Sequence, residues 1–298
     1  MSFDGRLLSG LSVLAAVVEA GSFSRAGEVL GLSASGVSRS IDRLEERLGV
    51  RLLNRTTRTM KLTEQGERYR RDMQLVLDAM GEAERRLHPA DHRVQGRVHV
   101  QLPSGLGQII LPHLLALQRL HPELQLMISL DDRLADLVTE GVDVAIRLSS
   151  EPPQAHAARV LARIEAALFA APGSQAVHAV SELTTLPHVR FSGIPLDAPL
   201  RLISDEETVE VNVNTVFRAN TSDALLQALE SGIGIGGLQR PLVARALQAG
   251  TLVPVLPDWR LPDRFLYAVY PDARFIPQRV RKVVSVIEQL LPEILKKN

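Results

Sequence analysis

Residues 22–63 read SFSRAGEVLGLSASGVSRSIDRLEERLGVRLLNRTTRTMKLT. Two short helical patterns lie close together here and are joined by a turn around Gly31 and Leu32. The second pattern opens with small polar residues, and a basic, threonine-rich stretch of hairpin character follows it. This arrangement predicts a winged helix-turn-helix, in which one helix enters the major groove of DNA and the wing lies along phosphates.

The second helical pattern has one apolar and one polar face. Ser33 is placed to cap it, Gly49 ends it, and its apolar residues repeat at steps of four, three and four. The polar face, the cap and the wing carry side chains suited to bases and phosphates. The predicted DNA contacts are Ser33, Ala34, Ser35, Ser38, Arg39, Asp42 and Arg43 on the helix, and Arg55, Thr57, Arg58 and Lys61 on the wing.

Charge supports a local binding surface. The formal net charge of the 298 residues is zero, yet the range 39–61 contains seven basic and three acidic side chains. A basic face on a neutral protein favours a docking surface over general adhesion to polyanions. The alternative is a solvated charged face with ion pairs one helical turn apart, and the helical pattern alone does not decide between the two.

The range 64–87 predicts one long linker helix, with Thr63 as its cap. Apolar residues recur at alternating steps of four and three, which is the heptad spacing of a seam between two helices. The alternative is an amphipathic helix that packs on its own domain. The predicted dimer seam consists of Tyr69, Met73, Val76, Met80, Ala83 and Leu87. The domain limits are then 1–63 for DNA binding and 64–93 for the dimerisation helix and hinge.

From Gly96 onward, short β-branched runs alternate with helical patterns. The runs 98–102, 124–130 and 142–148 enclose helices predicted near 104–120 and 133–140, which is a βαβαβ series. Further strands and helices from Ile164 predict a second α/β lobe. The range 94–298 is therefore read as a two-lobed α/β domain, with lobe I at about 94–162 and 268–298 and lobe II at about 163–267.

In such lobes, ligands bind at strand carboxyl ends and helix N-termini. The predicted effector-binding residues are Ser104, Gly105, Arg147, Ser149, Asn220, Thr221 and Ser222. Backbone N–H groups and an arginine suit a small carboxylate. The alternatives are helix caps for Ser104 and Thr221, and an inter-lobe salt bridge for Arg147.

Other patterns count against catalysis, metal and cofactor. The chain has no cysteine, its eight histidines are scattered, and no serine lies in a nucleophile elbow. Gly232, Gly234 and Gly237 match a dinucleotide motif but follow a helix and enter a strand, so they predict a tight turn. The apolar N-terminal stretch is interrupted by Glu19, so it predicts an amphipathic helix and not a signal peptide. We expect no enzyme, no metal, no cofactor and no membrane span, and a location in the cytoplasm.

These residues resemble the LysR-type transcriptional regulators over the whole chain. The motifs are densest in Gly21-Ser22-Phe23-Ser24, Val37-Ser38, Leu44-Glu45, Arg55-Thr56-Thr57-Arg58 and Leu62-Thr63-Glu64-Gln65-Gly66, and they continue in 131–147 and 232–235. The resemblance implies an effector domain like the periplasmic solute-binding proteins, a homodimer or homotetramer, double-stranded promoter DNA, a small co-inducer and contact with RNA polymerase. The chain departs from the family at Ala34, Gly27 and Gly36, which leaves the operator sequence open.

Two other classes remain as alternatives. A cytoplasmic solute-binding protein without a DNA role leaves the N-terminal third unexplained. An enzyme on a two-lobe fold lacks a catalytic constellation. Salt-dependent DNA binding distinguishes the first class, and turnover assays distinguish the second.

Overall fold

A computed structural model describes residues 6–55, 60–86, 94–133, 137–154, 157–272 and 275–296. The chain divides into two compact units, Met1–Asp91 and His92–Asn298. In the first unit the elements are α1 (Arg6–Ala20), α2 (Phe23–Leu30), α3 (Ala34–Leu48), β1 (Leu53–Arg55), β2 (Met60–Leu62) and α4 (Glu64–Arg86).

The first unit is the predicted winged helix-turn-helix with its long linker helix. Strands β1 and β2 pair antiparallel, so the wing is a hairpin, and its tip at 56–59 lies outside the described residues. One small core unites α1–α3 with the start of the wing. Its most buried members include Leu14, Val17, Val37, Ile41 and Leu52.

The helix ends follow from local chemistry. Ser33 Oγ accepts a hydrogen bond from the Gly36 amide at 3.1 Å, and Thr63 Oγ1 accepts one from the Gly66 amide at 2.9 Å. These side chains satisfy amides that have no partner within the helix, which confirms both predicted caps. Helix α3 ends at Gly49, whose φ of 70° is the left-handed conformation that glycine adopts without strain.

In the second unit the elements are β3 (Gly96–Leu102), α5 (Ser104–Leu120), β4 (Leu124–Leu130), β5 (Val144–Ser149), β6 (Ala157–Ile164), β7 (Ala166–Ala170), β8 (Pro187–Phe191), β9 (Leu200–Ile203), β10 (Thr208–Val211), β11 (Asn214–Ala219), α6 (Ser222–Glu230), β12 (Ile235–Gln239), α7 (Arg240–Ala249), β13 (Val253–Val255), β14 (Arg264–Tyr270) and α8 (Gln278–Lys296). A 3₁₀ helix spans Val180–Thr184.

Two five-stranded sheets organise this unit. The first has the order β4-β3-β5-β14-β6, in which β3 runs parallel to β4 and β5 while β14 runs antiparallel to β5 and β6. The second has the order β11-β8-β12-β7-β13, in which β8 runs parallel to β11 and β12. Each sheet has its own core, packed by α5 and α8 on the first and by α6 and α7 on the second. The predicted two-lobed α/β architecture is confirmed.

Some predicted elements differ from the structure. The helix predicted near 133–140 falls partly on undescribed residues, and its described end, 137–141, forms turns. Strand β12 begins at Ile235, because the chain first completes a turn at Gly232 with φ of 74°. This confirms the prediction of a helix-to-strand turn over the dinucleotide motif. Strand β9, which pairs with β10, was not predicted, because a strand of four residues is too short to show a period.

The described helices include none that is both long and apolar enough to span a membrane.

Candidate DNA-binding face and effector-binding region

Helix α3 presents the polar face that the sequence predicts. Val37, Ile41 and Leu44 are buried in the core of the first unit. Because residues three and four apart share a helix face, the residues between them point outward. The exposed members of the predicted site on this helix are Ala34, Ser35, Arg39, Asp42 and Arg43, and Ser38 is half-buried.

The two candidate arginines are held differently. Arg39 Nε donates to the carbonyl of Ser35 at 3.3 Å, so its guanidinium lies back along its own helix. Arg43 is exposed, and within the described ranges it has neither a hydrogen bond nor an ion pair. The alternative of a face neutralised by ion pairs therefore does not apply to Arg43, whose guanidinium keeps its full capacity for an external anion. Asp42 does have a partner within the chain.

Glu45 joins the recognition helix to the wing, a role that the sequence did not indicate. Its side chain is buried, and Oε1 accepts hydrogen bonds from the Leu52 amide at 2.7 Å and the Leu53 amide at 2.9 Å. Both donors stand at the start of β1. Bonds to a buried carboxylate are stronger than neutral ones. Glu45 therefore fixes where the wing leaves the helix.

The same junction is closed from the other side by the start of α4. Thr63 Oγ1 donates to the Arg51 carbonyl at 2.7 Å, and the Thr63 amide donates to the Leu52 carbonyl at 2.9 Å. Gly66 lies against that carbonyl so closely that a Cβ there would be 2.1 Å from the Leu52 oxygen. Glycine at this position lets the linker helix meet the base of the wing.

The structure describes only part of the predicted phosphate-binding wing. Lys61 on β2 is exposed. Arg55 lies in β1 with its side chain outside the described residues, and Thr57 and Arg58 lie outside them altogether. Their role as phosphate contacts stays a prediction.

The predicted seam on α4 divides into two parts. Tyr69 packs against the core of its own unit, which agrees with the alternative that α4 is an amphipathic helix packed on its own domain. Burial raises the pKa of its hydroxyl, and the nearby Arg47 guanidinium counters that rise. Further along, Val76 and Met80 are 40% and 41% exposed. Met73 is half-buried and Ala83 exposed, while Leu87 lies outside the described residues.

The predicted effector residues of the two lobes meet at two helix N-termini. A Cβ placed on Gly105 at the start of α5 would be 3.1 Å from Cβ of Ser222 at the start of α6. Thr221 caps α6 by accepting from the Ala224 amide at 3.4 Å, as the capping alternative expects. Asn220 beside it is exposed. The structure therefore brings Gly105 and Ser222 together across the lobes.

Ser104 is bound by a carboxylate of the chain itself. Its amide donates to Asp132 Oδ1 at 3.0 Å, and its hydroxyl donates to Asp132 Oδ2. Both hydrogen-bond donors of Ser104, its amide and its hydroxyl, are thus engaged by Asp132. The residue before it, Pro103, stands at the cap position without a side-chain hydrogen bond.

Arg147 is buried inside the first lobe. Its guanidinium donates to Gln101 Oε1 on β3 and to the carbonyl of Arg133. These partners belong to the same lobe, so the alternative of an inter-lobe salt bridge is wrong. Burial lowers the pKa of Arg147, and the carboxylates of Asp131, Glu140 and Asp132 act in the opposite direction. Ser149, at the end of the same strand, accepts from the Glu151 amide at 3.3 Å.

Two further features bear on ligands. A surface groove of about 640 Å³ lies in the second lobe beside Trp259, Glu207 and Glu210, and none of the predicted effector residues lines it. Among the described residues no group of three or more histidine, aspartate or glutamate side chains is placed to hold a metal ion.

Comparison with known proteins agrees with both units. Residues 8–67 match the family model of the bacterial regulatory helix-turn-helix protein, lysR family, and residues 91–292 match that of the LysR substrate binding domain. An HTH-type transcriptional repressor of Pseudomonas aeruginosa strain UCBPP-PA14 is 33% identical over 96% of this chain and 92% of its own length. The HTH-type transcriptional regulator PtxR of P. aeruginosa strain PAO1 is 32% identical over 95% and 93%.

A solved structure shows the same architecture from end to end. CrgA, a LysR-type transcriptional regulator from Neisseria meningitidis, is 28% identical, covers 99% of both chains and has a TM-score of 0.58. The two family matches together extend over most of the chain, and the relatives align over nearly their full lengths. This chain belongs to the LysR family of DNA-binding transcriptional regulators.

Proposed function

We propose that this protein binds promoter DNA through the exposed face of α3 and the β1–β2 wing, and that a small organic anion bound by the second unit modulates this binding. The arrangement of α3 supports the proposal most directly. Its apolar stripe is buried while Arg39, Arg43 and Ser35 face outward. A helix-turn-helix of this kind places such a face in the major groove.

Each part of the first unit has a role in this docking. Arg43, without a partner in the described chain, contacts a guanine edge or a phosphate. Ala34 offers a methyl group to a thymine methyl. Ser33 is engaged in capping, so its contribution is to fix the helix N-terminus, where amides attract phosphate. The wing lies along the backbone with Lys61 toward phosphate.

We propose that α4 pairs two chains. Val76 and Met80 are apolar and well exposed, and they lie at the heptad spacing that buries such residues against a second helix. Tyr69 belongs to the core of its own unit, so the seam begins at Met73. Two recognition helices held this way match a DNA site of two-fold symmetry. A homotetramer and contact with RNA polymerase extend this proposal, and the protein acts in the cytoplasm beside the chromosome.

An effector can modulate DNA binding only if it binds one conformation of the protein more tightly than another. The meeting of Gly105 and Ser222 supports a site between the lobes, because a small change in lobe closure alters that contact. The alternatives, a solute-binding protein without a DNA role and an enzyme, have no comparable support in the described chain.

The test is the salt dependence of DNA binding by the full chain. We expect Arg43→Ala to weaken binding and, if Arg43 contacts phosphate, to lower the slope of log K against log salt by about two in a dimer, or about one per subunit. Arg119→Ala is the matched control, since Arg119 is likewise exposed on a helix but lies in the second unit. Equal affinities for wild type and Arg43→Ala would contradict the assigned role of α3.

A further inference from the structure

Two arginines stand side by side at one edge of the second sheet. Strands β8 and β11 run parallel, and Arg190 on β8 is the ladder partner of Arg218 on β11. Paired positions on neighbouring strands point to the same face of a sheet. Each arginine is one residue from the end of its strand. Both therefore lie at the carboxyl edge, where ligands of α/β folds bind.

Arg190 is a buried cation that has no counter-charge among the described residues. Only 8% of the residue is exposed. Throughout the described ranges it has no hydrogen-bond acceptor and no carboxylate partner. A buried arginine is ordinarily paired. Because Arg190 has no such partner among the described residues, its charge is available to a ligand.

Arg218 brings a second positive charge to the same place. It donates to the carbonyls of Ser192 at 2.7 Å and Ile194 at 2.5 Å, which fixes its guanidinium over the loop after β8. Burial lowers the pKa of Arg190, and the charge of Arg218 lowers it further. Two neighbouring cations repel each other, and a bound anion would relieve both the repulsion and the lost hydration.

Polar atoms that lack hydrogen-bond partners also lie two register pairs earlier on the same two strands. His188 on β8 partners Thr215 on β11. His188 Nε2 and Thr215 Oγ1 are buried and lack hydrogen-bond partners in the structure. The His188 Nδ1 atom lies 3.0 Å from the Leu186 carbonyl and can only donate to it, which leaves Nε2 as an acceptor. Polar atoms without partners therefore lie in the sheet on the same strands as the two arginines.

The cationic and amide groups predicted to bind the effector in the first lobe are already engaged. The buried Arg147 donates to Gln101 and to a carbonyl, and the amide and hydroxyl of Ser104 donate to Asp132. Any anion would have to displace these groups. Arg190, by contrast, has no neutralising partner among the described residues, and its neighbour Arg218 lies on β11, the strand that leads into α6 and its contact with Gly105.

We infer that Arg190 and Arg218 form the subsite that holds the anionic group of the effector, a carboxylate or a phosphate. The planar forks of two arginines match the paired oxygens of either group. This inference deepens the proposed function and rests on it for the identity of the second unit as the effector-binding part. It moves the anion from the predicted Ser104 and Arg147 to the opposite lobe.

The test titrates the full-length protein with sodium acetate and, separately, inorganic phosphate, by calorimetry and by thermal melting at constant ionic strength. Arg190→Met removes the charge at similar volume, and Arg190→Lys keeps it. Arg245→Gln, on the exposed side of α7, is the control for loss of one positive charge. We expect the wild type and the control to bind at least one of the two anions. The affinity of Arg190→Met should be about tenfold to a hundredfold lower.

Two signatures separate a binding role from a structural one. Without anion, Arg190→Met should melt higher than the wild type, since an unpaired buried charge is gone, whereas a structural arginine would leave the variant less stable. Binding of acetate alone assigns a carboxylate, and binding of phosphate alone assigns a phosphate. No binding of either anion by the wild type, or equal binding by Arg190→Met and the control, would overturn the inference.

The proposed function is measured independently in the same samples. DNA affinity without added anion is measured for the wild type and for the control Arg245→Gln, and it should be the same for the two. Wild-type protein that binds DNA but neither anion would refute the anion subsite alone. Protein that binds an anion but no DNA would refute the proposed function and leave the anion subsite standing.

Discussion

Replacing Glu45 by alanine tests the link between recognition helix and wing. The carboxylate accepts from the Leu52 and Leu53 amides at 2.7 and 2.9 Å, and the side chain is 7% exposed. Alanine leaves both amides without this acceptor. A hydrogen bond to a charged group contributes about 1.5–3 kcal/mol, so the loss of two is expected to cost about 3–6 kcal/mol. The wing also loses its attachment to α3.

The assay follows the unfolding of the first unit in the full-length protein by scanning calorimetry, together with DNA affinity. We expect Glu45→Ala to lower the melting transition of the first unit and leave that of the second unchanged. Glu45→Gln retains an acceptor oxygen of the same reach, so its cost should be less than half as large. Glu46→Ala is the control, because Glu46 is the neighbouring glutamate on the exposed side of α3.

The reasoning fails if Glu45→Ala and Glu46→Ala destabilise the first unit equally. It also fails if Glu45→Gln is as damaging as Glu45→Ala, since the two bonds to Oε1 would then not be the source of the effect.

Three further predictions concern packing and assembly. Gly66→Ala places a Cβ 2.1 Å from the Leu52 carbonyl oxygen and should destabilise the first unit by about 1–3 kcal/mol in denaturant titration; an unchanged midpoint would contradict the close approach. Met80→Lys puts a charge into the proposed seam and should weaken the dimer in sedimentation equilibrium; an unaltered dissociation constant would remove Met80 from the seam. Gly105→Val forces side-chain atoms toward Ser222 and should lower the melting temperature of the second unit; no change would show that the lobes are free to separate there.

The first unit was predictable because its helices repeat apolar residues over several turns and begin at residues that are specific caps. The stripe of α3, the Ser33 cap and the turn at Gly49 each agree with the others, and the helix followed at the expected residues. In the same way, α4 began directly after Thr63. Local preference and global packing point the same way in this part of the chain.

Charged residues were harder to place. Glu45 reads as one more surface charge on α3, because only the tertiary approach of β1 makes it a buried acceptor. Arg190 sits in a short strand whose alternation is typical of an exposed polar face, yet it is 8% exposed. Asp132 accepts a hydrogen bond from Ser104, which lies 28 residues earlier in the chain. Such contacts depend on how distant elements come together, so the periodicity of the sequence does not predict them.

The most direct test of the DNA-binding account is to incubate the purified full-length protein with sheared DNA of its source and to sequence the DNA that it retains. Wild-type protein and Arg43→Ala are compared side by side. We expect the wild type to enrich a few sites of two-fold symmetry, with half-sites spaced by whole turns of the double helix, and Arg43→Ala to lose that enrichment. Absence of enrichment by the wild type, or the same sites retained equally by Arg43→Ala, would contradict the assignment of α3 as the DNA-reading helix.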